Sequence, residues 1–131
     1  MDCVIFGFDG IQLYVLLIDR ENQLKNVVSE FALPGNLILD DENLDMAAER
    51  VLKELTGLSV IYLEQFGAFG DPDRIKKKED QPWLKAVRSI PNARVITVGY
   101  YSLIRMSDYE LNPSSFAKNA KWMPLNSIKK L

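Results

Sequence analysis

The stretch Glu42-Asn-Leu-Asp-Met-Ala-Ala-Glu-Arg-Val-Leu-Lys-Glu-Leu55, running on into Thr56-Gly57-Leu58, decides how this chain folds. Leu44, Ala47, Ala48, Val51, Leu52 and Leu55 recur at steps of three and four, the period of an apolar helical stripe. At about 100° per residue the stripe covers an arc of roughly 140°, enough to bury against a sheet. Asp40, Asp41 and Glu42 precede it, where the positive end of a helix dipole favours acids, and either Asp41 or Asn43 suits the N-cap. Gly57 follows the last periodic residue and suits a left-handed C-cap. The stretch reads as an amphipathic helix.

Around it lie strand patterns. Cys3 to Phe8 and Leu13 to Asp19 are β-rich runs flanking Asp9-Gly10, a hairpin signal. Phe31-Ala-Leu-Pro-Gly35 reads as a short strand ending in a turn. Ser59 to Phe69 is rich in Val, Ile, Tyr and Phe, and Arg94 to Ile104 is the strongest strand pattern in the chain. Lys121-Trp-Met is a short strand candidate, and Ser127 to Leu131 a candidate start of a final helix. The fold class is α/β. Between the last two long strands, the segment from Asp71 to Asn92 breaks the pattern. Loops this long in a compact domain are usually functional or mobile. Its Lys76-Lys-Lys-Glu-Asp80 run reads as a solvated basic turn in preference to a phosphate or DNA contact. Trp83, Leu84 and Val87 can pack the loop on its own domain or on a partner subunit.

Composition excludes several chemistries. The chain has 131 residues, 47% hydrophobic and 26% charged, with a formal charge of −2. That is the profile of one soluble globular domain with no bulk attraction for nucleic acid or anionic membrane. One cysteine and no histidine remove an intrachain disulfide, a Cys/His zinc site and any Ser-His or Cys-His nucleophilic pair. Cys3, in an apolar run, is expected to be a buried small hydrophobe. No stretch is long enough for a membrane span and no signal peptide is evident, so the cytoplasm is the default.

The helix also resembles a Nudix box, G-x5-E-x7-R-E-U-x-E-E-x-G-U with U a bulky aliphatic. Glu42, Arg50, Leu52, Glu54, Gly57 and Leu58 match this pattern. Asn36 stands where the first Gly belongs, Val51 replaces the Glu of the R-E pair, and Leu55 replaces the second Glu of the E-E pair. In Nudix hydrolases those acids hold divalent metal. Positions 51, 54 and 55 lie on neighbouring faces, so acids there would converge on one cluster. Mg²⁺ needs several oxygen ligands in near-octahedral geometry, and Glu54 alone between two hydrocarbon positions is a poor site. The resemblance also implies an ion pair between Glu42 and Arg50 that fixes the loop before the helix.

Downstream, Gln65-Phe-Gly-Ala-Phe-Gly-Asp-Pro-Asp-Arg74 and Arg94-Val-Ile-Thr-Val-Gly-Tyr-Tyr-Ser-Leu103 are similar to the sequence after the box in NrtR-like transcriptional regulators and their hydrolase relatives. Asp2-Cys-Val-Ile-Phe and Ala120-Lys-Trp-Met-Pro-Leu look like the same group. The resemblance covers nearly the whole chain apart from an insertion at about residues 75–92. It implies a Nudix-type α/β/α sandwich around a mixed β-sheet, with residues 1–131 forming one Nudix-like domain. It further implies a non-catalytic effector domain that binds a sugar or a nucleotide-sugar such as ADP-ribose. A homodimer is expected on the same ground, with Trp83, Tyr109 and Phe116 as interface candidates. DNA would be bound only through a winged-helix domain absent from these residues. The chain is then an effector domain cut from a longer regulator, or a free-standing ligand-binding domain.

Candidate ligand residues lie near the sheet's open end. Arg74 and Arg94 can form charge-assisted hydrogen bonds to a phosphate or a sugar hydroxyl. Asp71 and Asp73 can accept from sugar hydroxyls, and Phe69 or Tyr101 can stack on a ring. The competing structural role is a turn at Asp71-Pro-Asp-Arg74 closed by an internal ion pair. No catalytic residue and no cofactor is expected. The alternative is a Mg²⁺-dependent Nudix hydrolase of a nucleoside diphosphate derivative such as ADP-ribose, recruiting Glu54 with Glu64 or Glu79.

Overall fold

Alternation along Asp2–Phe8 (β1) buries Cys3 and Ile5 on one face and leaves Val4 and Phe6 half-buried on the other, as a pleated strand requires. The structure is a computed structural model and describes residues 1–20, 30–72, 95–114 and 117–128. The 75–92 insertion, Asp73, Arg74, Glu79, Trp83, Arg94 and Phe116 lie outside the described residues, as do the last three positions of the expected final helix.

The remaining elements are β2 (Leu13–Arg20), β3 (Glu30–Ala32), α1 (Leu44–Thr56), β4 (Glu64–Phe69), β5 (Thr97–Arg105) and β6 (Ala117–Pro124). The sheet order is β3-β2-β1-β5-β4, with β6 paired to β2. β1 and β5 run parallel, from Asp2 opposite Gly99 to Phe8 opposite Arg105, and the other pairings are antiparallel. The sheet is therefore mixed. β6 pairs with β2 along its length from Tyr14 to Arg20. A strand has only two edges, so β1 and β3 share the other one: β1 takes Leu13–Val15 and β3 takes Ile18–Arg20.

The Asp9-Gly10 signal closes the β1–β2 hairpin. The Asp9 carboxylate accepts from the Ile11 and Gln12 amides at 2.8 Å each and from the Tyr14 hydroxyl at 3.0 Å. These bonds hold its carboxyl below the usual range, the Gln12 amide contributing most. Short polar side chains that bond their own turn are why Asp marks such positions.

α1 packs on one face of the sheet. Ala47, Ala48, Val51, Leu52 and Leu55 join Cys3, Ile5, Leu16, Ile18, Tyr100 and Ile104 in one core. The stripe is rotated slightly from the sequence reading, since Leu44 is exposed while Thr56 is buried. Thr56 is accommodated because its hydroxyl donates to the Leu52 carbonyl at 2.6 Å and accepts from the Leu58 amide at 3.1 Å. Cys3 is fully buried, and burial first, then the Asp2 charge, pushes its thiol up to about 12. A thiol that does not ionise is not a nucleophile. No helix among the described residues is long and apolar enough to cross a membrane.

Several boundaries depart from the sequence pattern. β4 begins at Glu64, five residues later than expected, because Val60 adopts a left-handed φ of 57° that interrupts the extended run. Ile61 and Leu63 then pack against the core. β6 starts at Ala117, four residues before Lys121, since the β2 ladder extends to meet it. Leu125–Ser127 forms a 3-10 turn.

Gly57 ends α1 at φ 82°, and its amide donates to the Lys53 carbonyl at 2.9 Å. The crossing segment supplies the other end-caps: the Asn112 amide donates to Thr56 and the Ser114 amide to Glu54, each at 2.7 Å. A Cβ at position 57 would stand 2.6 Å from the Asn112 backbone nitrogen. Gly57→Ala is therefore expected to lose about 1–3 kcal/mol of stability, measured by urea denaturation.

Candidate functional site

The face that carries the box residues is built from α1 upward. Asn43 is the N-cap, accepting from the Met46 amide at 2.8 Å. From this start, Arg50 points back over the preceding loop. Its Nε and Nη2 donate to the Glu42 carboxylate at 2.9 and 2.7 Å, Nη1 donates to Glu54 at 3.2 Å, and Nη2 also donates to the Leu37 carbonyl at 2.9 Å. The Leu39 amide donates to Glu42 at 2.9 Å. The ion pair expected between Glu42 and Arg50 is present. Its bonds hold the Glu42 carboxyl down at about 2, with Arg50 first and the Leu39 amide second, and raise Arg50 in turn.

Asn36, at the box's first position, accepts from the Leu37 amide through Oδ1 at 2.8 Å. Its main chain exchanges bonds with Met1: the Asn36 amide donates to the Met1 carbonyl at 3.2 Å, and the terminal ammonium donates to the Asn36 carbonyl at 3.0 Å. Val51 and Leu55 are wholly buried in the core. Glu54 keeps about 40% of its side chain exposed and pairs with Arg50. Among the described residues no group of three acids, cysteines or histidines is placed to hold a metal ion. One carboxylate, already paired with a guanidinium and flanked by buried hydrocarbon, does not fit Mg²⁺. Glu64, the outside carboxylate considered for recruitment, accepts from the Tyr101 hydroxyl at 2.9 Å.

The structure divides the sequence-derived candidates between two faces of the sheet. Tyr100 is buried on the α1 side and donates to Asp45 in the first turn of that helix at 2.8 Å. Burial, then the Asp45 bond and charge, pushes its hydroxyl up to about 12. Tyr101, one residue on, faces the opposite way with Leu103 and is exposed. Phe69 and Phe66 lie beside it, Phe66 meeting Phe69 at 5.8 Å and Tyr101 at 6.0 Å between ring centroids. Asp71 follows β4 on the surface. Thus Phe69 and Tyr101 flank Phe66 on this face, each meeting its ring, while neither joins the box. Periodicity missed Phe66 and the Tyr100–Asp45 bond, because the first depends on register between strands and the second on how α1 packs against β5. A half-open hollow of about 530 Å³ also lies along the outer side of α1, between Met46, Lys53 and Ile61.

A mixed sheet with the box helix across one face is the Nudix fold. No family model matches the chain. It is 32% identical over 133 residues to the ADPR responsive transcriptional repressor NtrR of Acinetobacter baylyi, covering 100% of this chain and 46% of that protein. The chain thus spans about half the length of this curated relative. It is similar to the NUDIX domain of Shewanella oneidensis NrtR complexed with ADP ribose, with a TM-score of 0.73 and 26% identity over 97% of this chain and 72% of that one. A MutT/nudix family protein from Enterococcus faecalis gives a TM-score of 0.70 and 28% identity over 92% of this chain and 41% of that one. The chain has the fold of these Nudix domains, and its sequence is similar to that of NrtR-type regulators.

Two outcomes follow from the box geometry. Glu42 is held below its ordinary value of 4.5, so its ion pair stabilises the fold above that pH and loses its contribution as pH falls toward about 2. The melting temperature of Glu42→Gln should therefore show a shallower fall than that of the unaltered chain between those limits, read by circular dichroism. The double substitution Val51→Glu with Leu55→Glu returns the two missing acids to fully buried positions. It should lower stability by several kcal/mol without conferring Mg²⁺-dependent turnover of ADP-ribose.

Proposed function

We propose that this chain is a non-catalytic, ligand-sensing effector domain of a Nudix-related transcriptional regulator, and that its ligand is a sugar or nucleotide-sugar, with ADP-ribose the leading candidate. One observation carries the non-catalytic reading: Val51 and Leu55 are wholly buried and Glu54 is paired with Arg50, so the helix offers no free carboxylate cluster. The ligand is supported by two relatives, a repressor described as ADPR responsive and a NUDIX domain complexed with ADP ribose. Phe69 and Tyr101 are proposed to face it, with Asp71 at the rim. Binding needs no divalent metal, since two of the three box positions that would hold one are hydrocarbons and the third, Glu54, is paired with Arg50. DNA recognition is assigned to a winged-helix part outside these residues, and the domain acts as a homodimer.

Incubation with ADP-ribose should raise the melting temperature, equally with Mg²⁺ or with EDTA, and release no AMP. At a ligand concentration of about 100 times Kd the stabilisation amounts to about 2.7 kcal/mol. Robust AMP release that is abolished by Glu54→Gln overturns the sensor reading.

A further inference from the structure

The β4–β5 ladder is irregular at one place. Its register shifts between Gln65 and Gly67, so Phe66 has no residue opposite it on β5. A bulge of this kind re-aims a side chain, and here the Phe66 ring turns across the neighbouring strand onto Gly99. A Cβ at Gly99 would stand 2.6 Å from Cζ of Phe66, so the ring occupies the place a side chain would need.

The seated ring then meets Phe69 at an interplanar angle of 60° and Tyr101 at 69°. Edge-to-face contacts of this kind are favourable and orient the rings relative to one another. Tyr101 is steadied in turn by its bond to Glu64. Yet the three rings remain 48%, 47% and 39% exposed, on the face of the sheet away from the α1 core. Ordinary core aromatics are far more covered. A bulge, a glycine seat and two flanking rings thus present aromatic surface outward. Such a surface suits a planar heteroaromatic ring, whereas the hydroxyls of a sugar need polar partners, and the three rings offer mostly carbon.

Resting on the ADP-ribose reading, we infer that Phe66 is a specificity-determining residue for the base of the ligand: its ring, seated on Gly99 between Phe69 and Tyr101, stacks on the adenine. Phe66→Ala removes the stacking surface and is expected to weaken ADP-ribose binding about tenfold by calorimetry. Phe66→Trp keeps it and should bind with affinity near that of the unaltered chain. Its added indole emission, taken as the difference from the unaltered chain with Trp83 and Trp122, should be quenched by ADP-ribose and unaffected by ribose 5-phosphate, which lacks the base.

Unchanged ADP-ribose affinity in a folded Phe66→Ala, or emission from Phe66→Trp that ADP-ribose at saturation leaves unaltered, overturns the inference while leaving the sensor reading intact. Quenching by ribose 5-phosphate equal to that by ADP-ribose overturns it as well. If Phe66→Ala loses its cooperative melt, the Phe66→Trp titration decides alone. Failure of the unaltered chain to bind ADP-ribose removes the ligand reading and this inference with it.

Discussion

Arg50 distributes one guanidinium over the Glu42 and Glu54 carboxylates and the Leu37 carbonyl, and the shape of the chain ahead of α1 depends on that distribution. Leu37, Ile38 and Leu39 all carry exposed aliphatic side chains, so burial contributes little to holding this loop. Charge-assisted hydrogen bonds do so instead, because a planar guanidinium can satisfy several acceptors at once. The Leu39 amide closes the circuit by donating back to Glu42.

The same clasp bears on chemistry. A carboxylate paired with a cation is a weaker candidate for a second cation, and Glu54 is the acid so paired. Beside it, Val51 and Leu55 are wholly buried; each such side chain contributes about 1.5–3 kcal/mol to folding. The helix that in Nudix hydrolases carries metal ligands here serves packing on one side and a loop clasp on the other. Val51 and Leu55 thus place buried hydrocarbon where the box pattern has acids.

β5 joins this helix to the opposite face through two adjacent tyrosines. Tyr100 reaches into the core and bonds Asp45 of α1, while Tyr101 stands among Phe66, Phe69 and Glu64 on the outer side. The period of two in a strand makes neighbours face apart. One strand therefore anchors the scaffold with one hydroxyl and presents an aromatic surface with the next.

The helix, its C-cap and most strands were legible in the chain, because each is a local pattern: a 3.6 period, a glycine after it, and β-rich runs between turn residues. The box substitutions were equally readable, since they are identities at fixed spacings. Other features emerged only in the folded chain. Thr56 is a polar residue by type, yet it is buried, because its hydroxyl finds the Leu52 carbonyl. The strand expected from Ser59 starts at Glu64, because Val60 takes a left-handed turn while Ile61 and Leu63 pack on the core. Phe66 gained its place only from the register slip against β5 and the missing side chain at Gly99. Spacing along a chain reports which way a side chain faces on its own element. Which rings and charges meet is set by how elements pair, and that is a property of the assembled sheet.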